Sequence, residues 1–160
     1  MIALAAMMSL FGAAAAHAAC PIELSVYGVE DGTAELGFEP SGTAATVFNR
    51  FRLLLDKDIA LDGFVQWSQG ASRPYATLSY KCPEGDNTGA EIAACTIWQG
   101  VVYTSDAAGK VGLLPAEGED APATLVLSDL GASLFESETL AKAGFAGAPS
   151  DIFLLKGCQE

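Results

Sequence analysis

The sequence has almost no histidine and little positive charge. It carries one His, His17, and 8 Lys and Arg against 20 Asp and Glu, a formal charge of −12 over 160 residues. His17 lies at the end of an apolar leader, so the chain beyond it offers no imidazole. Without one, Ser-His-Asp and Cys-His nucleophile arrangements have no base. Zinc, copper and non-haem iron centres built on His ligands are excluded for the same reason. A nucleic-acid binder needs a basic face to meet phosphates, and this balance points the other way. It also argues against docking on anionic lipid.

Motifs are missing too. No Cys pair has the C-x-x-C spacing of a thioredoxin-type site or of a zinc site. There is no G-x-S-x-G and no G-x-G-x-x-G. Gly109-Lys110 lacks the earlier glycine of a phosphate loop and reads as a hairpin turn. No cofactor is implied.

The chain opens with an uncharged run, Met1 to Ala16, apolar apart from Ser9 and Gly12. It is short for a membrane span, which takes about 20 residues. Ala16-His17-Ala18 fits the small-x-small rule of signal peptidase, so residues 1–18 read as an export signal and 19–160 as one acidic domain. The departure is the lack of a Lys or Arg before the run. Cys20 as an acylated first residue is the rival reading, but His17 stands where a lipoprotein signal carries a large aliphatic residue. Localisation follows as periplasmic or secreted, in a bacterial envelope.

Four Cys lie past the leader, an even count in an exported chain, which reads as two disulfides. Of three pairings, Cys82–Cys95 with Cys20–Cys158 is preferred. The first closes a short loop rich in turn formers, and the second ties terminus to terminus. In the chain-entropy model the short loop contributes about 3 kcal/mol and the long one about 4–5 kcal/mol.

Alternating runs place strands at Ile22–Val29, Thr33–Phe38, Leu61–Trp67, Pro74–Lys81, Thr96–Ser105, Lys110–Leu114, Thr124–Leu127 and Asp151–Leu155. Phe48–Leu55 is ambiguous, because Leu53-Leu54-Leu55 breaks the alternation. Thr88 with Glu91, and Ser133 with Glu136, are capping-box patterns that predict a short helix ending near Cys95 and a second over about 133–143, stopped by Gly144. The expected fold is α+β: a mostly antiparallel sheet of seven or eight short strands with one or two helices. A β-sandwich or small barrel with peripheral helices is the alternative.

Candidate site residues are Trp67, Arg73, Tyr75 and Trp98, with Tyr80 nearby. They fall within one stretch, and Trp and Tyr around one Arg make a recognition surface for sugars, peptides or proteins. Acidic clusters at Asp56/Asp58/Asp62, Glu84/Asp86 and Glu117/Glu119/Asp120 lack the EF-hand pattern and read as solvated loops. The leading expectation is a non-catalytic binding domain for a protein, peptide or glycan, with a basic partner favoured by the charge. The alternatives are a histidine-free hydrolase that uses paired carboxylates on carbohydrate and a structural envelope protein.

Overall fold

The computed structural model describes residues 20–42, 47–56, 59–67 and 73–159. The export signal, the Ser68–Ser72 loop and Asp58 lie outside the described residues.

The alternating runs build ten strands: β1 (Ser25–Gly28), β2 (Ala34–Glu39), β3 (Val47–Leu55), β4 (Ile59–Gln66), β5 (Tyr75–Ser79), β6 (Thr96–Gly100), β7 (Val102–Ser105), β8 (Val111–Leu113), β9 (Thr124–Leu127) and β10 (Ile152–Cys158). Three helices, α1 (Gly89–Cys95), α2 (Leu130–Glu136) and α3 (Glu138–Lys142), have seven residues or fewer. The expected mostly antiparallel sheet with few helices therefore forms, but it is longer than anticipated and the helices are minor, so α+β describes it only loosely.

All pairings are antiparallel, in the order β6-β5-β4-β3-β2-β1-β10-β9-β7-β8. β6 and β7 are separated by Val101 alone. The circuit of strands thus leaves from and returns to one run of chain, 96–105, and the sheet curls. Alternation continues across Val101: Trp98, Val102 and Thr104 are buried. Gly100 keeps the same phase, and a Cβ there would come within 2.5 Å of the Trp98 ring.

The inner face forms one core. Tyr27, Phe38 and Phe51 stand in sequence across β1, β2 and β3, with ring centroids 6.0 and 5.6 Å apart. Leu61, Leu78, Leu125 and Phe153 continue this layer, and Leu130, Leu134, Leu140 and Phe145 pack into it from the helical segment. Each such side chain contributes about 1.5–3 kcal/mol on burial. Gly63 is required for space, because the Phe51 ring lies 2.3 Å from where its Cβ would be.

Four local expectations are resolved. Phe48–Leu55 is strand: Leu53 and Leu55 face in and Leu54 faces out, 45% exposed. Ile22–Leu24 is a 3-10 turn, so the first strand starts only at Ser25. The Thr88/Glu91 capping box forms as expected, each partner bonding the other's backbone N–H. The Ser133/Glu136 box does not. The helix begins earlier, at Leu130, so Ser133 is inside it and its hydroxyl donates to the Asp129 carbonyl at 2.7 Å. The start of α2 is set from a distance. Asp151 accepts from the backbone N–H groups of Asp129 and Gly131, at 2.9 and 2.8 Å. Gly131 allows this approach, since a Cβ would lie 2.2 Å from the Pro149 carbonyl oxygen. Ser137 then caps a separate α3, and the chain leaves it at Gly144 with φ +92°.

Both disulfides are present, Cys20–Cys158 and Cys82–Cys95. The first sits where β1 pairs with the end of β10, Ser25 opposite Cys158.

Candidate functional site

The fold does not gather the four residues singled out from the sequence on one surface: Trp98 is buried, and Trp67 and Tyr75 lie on opposite phases of the sheet. Trp98 lies on the inward phase of the 96–105 run. It is 3% exposed, and its indole N–H donates to the Ser128 carbonyl at 2.9 Å. It is therefore a core side chain, with its one polar group satisfied internally. Trp67 follows β4 in the inward phase of Leu61, Gly63 and Val65, but it stands past the strand end, 51% exposed, edge-on to Phe48 at 6.4 Å. Tyr75 opens β5 opposite Gln66, on the outward phase, and is 46% exposed. Arg73 bonds the Tyr103 hydroxyl and lies over that ring, 5.8 Å from its centroid. The structure thus brings Arg73 to Tyr103, a residue absent from the sequence-derived set.

Tyr103 belongs to a larger feature set by strand register. Leu113 on β8 is opposite Tyr103 on β7, which is opposite Val126 on β9, which is opposite Ile152 on β10. The adjacent row runs Val111, Ser105, Thr124, Leu154. In both rows the inward neighbours, Val102, Thr104, Leu125, Leu127 and Phe153, are buried. The rows themselves therefore form the outer face. None of these side chains is charged, and four of them are large exposed apolar groups: Val111, Leu113, Ile152 and Leu154. Exposed apolar residues scattered singly are ordinary, whereas a contiguous group marks a contact surface.

Two solvent-open concavities border this face. One, of about 320 Å³, is lined by Arg73, Tyr103, Val111, Gly112 and Leu113. The other, of about 390 Å³, is lined by Glu30, Asp31, Ser150, Ile152 and Leu154. Arg73 is the only charged residue lining the first, and the second carries two carboxylates.

Several acidic side chains serve as acceptors for backbone N–H groups. Glu23 accepts from Gly118 at 2.8 Å, Glu119 from Ala116 at 2.7 Å, and Glu117 from Ser41. The backbone and hydroxyl of Thr88 hold the Glu91 carboxyl below its ordinary range, and Thr33 does the same for Asp31. A catalytic acid is shifted the opposite way. Burial raises the Tyr27 phenol, whose hydroxyl donates to the Pro122 carbonyl at 2.8 Å. Asp62 pairs with Arg52 at 3.2 Å. Among the described residues, no three His, Cys, Asp or Glu side chains converge as metal ligands, and no helix is long and apolar enough to cross a membrane.

Sequence reasoning placed strands over β7, β8, β9 and β10 but missed what occupies their outward slots. A signal was present: Val111/Leu113 and Ile152/Leu154 are apolar at spacing two, with further apolar residues between them. Which phase faces out becomes visible only once the partners are known. Comparison with protein-family models, curated proteins and solved structures gives no match to this chain.

Proposed function

We propose that the protein is an exported, non-catalytic binding domain that takes a protein or peptide partner on the outer face of β8-β7-β9-β10. The observation that supports this most is the pair of uncharged rows on that face, in a chain of net charge −12. Water-exposed Val111 and Leu113 on β8 and Ile152 and Leu154 on β10, with Tyr103 and Val126 between them, offer a partner a ready apolar contact area. The acidic remainder of the surface steers a partner with a basic rim, raising the association rate more than the affinity. The two disulfides suit an oxidising compartment.

The test is retention of a partner from envelope extract by the mature domain and by Ile152→Glu/Leu154→Glu. The double variant is expected to melt within about 0.5 kcal/mol of the parent, as exposed substitutions do, and to lose the partner. Moderate salt is expected to weaken retention by the parent. Equal retention by both proteins, or a hydrolytic turnover abolished by changing one Asp or Glu, would overturn the reading.

A further inference from the structure

The outer face ends at β8, and the sheet ends with it. β8 pairs with β7 and has no other strand neighbour among the described residues. All three of its residues are exposed, Val111 at 69%. Edge strands are ordinarily protected by a charge, a proline or a bulge within the strand. Val111-Gly112-Leu113 has none of these, its three-residue length being its one safeguard; Lys110 and Pro115 stand outside it. At the opposite end of the sheet, β6 has α2 packed against it and continues directly into β7.

Beside this edge is the Arg73 guanidinium. It spends a donor on the Tyr103 hydroxyl, and no carboxylate of the described residues lies within ion-pair distance of it. A guanidinium has five N–H groups in a fork that matches a carboxylate. The concavity that it lines shares Val111, Gly112 and Leu113 with β8. Gly112 adds no side chain, so a neighbouring backbone can approach closely there.

Resting on the binding reading above, we infer that the occupant is an extended segment of a partner protein, which adds as a strand to the free edge of β8 and places a carboxylate on Arg73. Main-chain hydrogen bonds to β8 supply the affinity of strand addition, and alternate apolar side chains lie over Val111 and Leu113. The carboxylate fixes direction and register. A second copy of this chain is the poorer occupant, because two molecules of charge −12 repel.

The experiment is an NMR titration of the mature domain with acetyl-Thr-Val-Thr-Val-Thr-Val carrying a free C-terminal carboxylate, and with the same peptide amidated. Amide shifts are expected to centre on residues 111–113, together with the Arg73 side-chain N–H. Binding is expected to weaken about tenfold for the amidated peptide and for Arg73→Glu, the scale of a hydrogen bond to a charged group. It is expected to be lost in Val111→Lys, which leaves the inner face untouched. Shifts elsewhere, or equal affinity for acid and amide, would overturn the inference. The extract experiment separates the two readings. A partner lost by Ile152→Glu/Leu154→Glu but held equally by Arg73→Glu and Val111→Lys keeps the binding face and removes strand addition. A concentration-dependent dimer in sedimentation, abolished by Val111→Lys, replaces the peptide with a second copy and overturns the inference.

Discussion

The outer faces of two parts of one sheet differ sharply. On β2, β3 and β4 the outward slots hold Glu35, Glu39, Arg50, Arg52 and Asp62 interspersed with Leu54, Ala60 and Phe64, and Arg52 reaches across to Asp62. On β7, β8, β9 and β10 they hold Tyr103, Val111, Leu113, Val126, Ile152 and Leu154, with Ser105 and Thr124 between. The inward slots beneath both are buried and apolar apart from Asn49 on β3 and Thr104 on β7. Period-two alternation gives the core what it needs from one phase only. The other phase is free to be charged or apolar, and the charged outward slots gather on β2, β3 and β4 while those of β7, β8, β9 and the paired part of β10 are uncharged. β1 lies between the regions. There the stem of Lys156 covers Gly28, where a Cβ would come within 2.9 Å of Lys156 Cε, while Lys156 remains exposed.

The comparison sharpens with substitutions below, beside and on the two faces. Phe153→Ala removes the fully buried ring beneath Ile152 and Leu154 and is expected to cost about 3–5 kcal/mol. Urea unfolding measures it, and a cost under about 1 kcal/mol would mean that the layer under the apolar face is not packed as described. Asp151→Ala, next in the chain, removes the acceptor for two N–H groups at the start of α2. Hydrogen bonds to a charged group contribute about 1.5–3 kcal/mol, so a loss of about 2 kcal/mol is expected, with hydrogen exchange quickening first over residues 129–133. Unchanged exchange there would show that α2 sets its own start. Arg52→Ala, on the charged face, breaks an exposed pair worth about 0–1 kcal/mol. A melt indistinguishable from the parent in 0.5 M salt is expected, and a large loss would make the charged face structural.

Much of the sheet was legible because strands declare themselves locally. Gly109 lies in the hairpin turn that its position suggested, with a positive φ, and the Thr88/Glu91 box closes within four residues. What was not legible depends on distant chain. Asp151 starts a helix about twenty residues earlier, so the local Ser133/Glu136 pattern misled. Trp98 and Trp67 looked equivalent as aromatic residues on strands. Their fates differ because one lies within a buried run and the other stands one residue beyond the end of β4. Arg73 could be singled out from the sequence as the one cation among nearby aromatic residues, whereas its contact with Tyr103 and the row that Tyr103 belongs to required the fold.

The run 96–105 also determines how the chain assembles. Every strand pairing except one joins strands that are neighbours or next-neighbours in chain order, because this run serves β5 before Val101 and β8 and β9 after it. The exception is β1 with β10, which joins the two ends of the described chain. Strand pairing can therefore propagate from either side of Val101. The longest loop closure falls on that one pairing. Cys20–Cys158 spans that seam, so the bond holds closed the one pairing whose strands lie at opposite ends of the described chain.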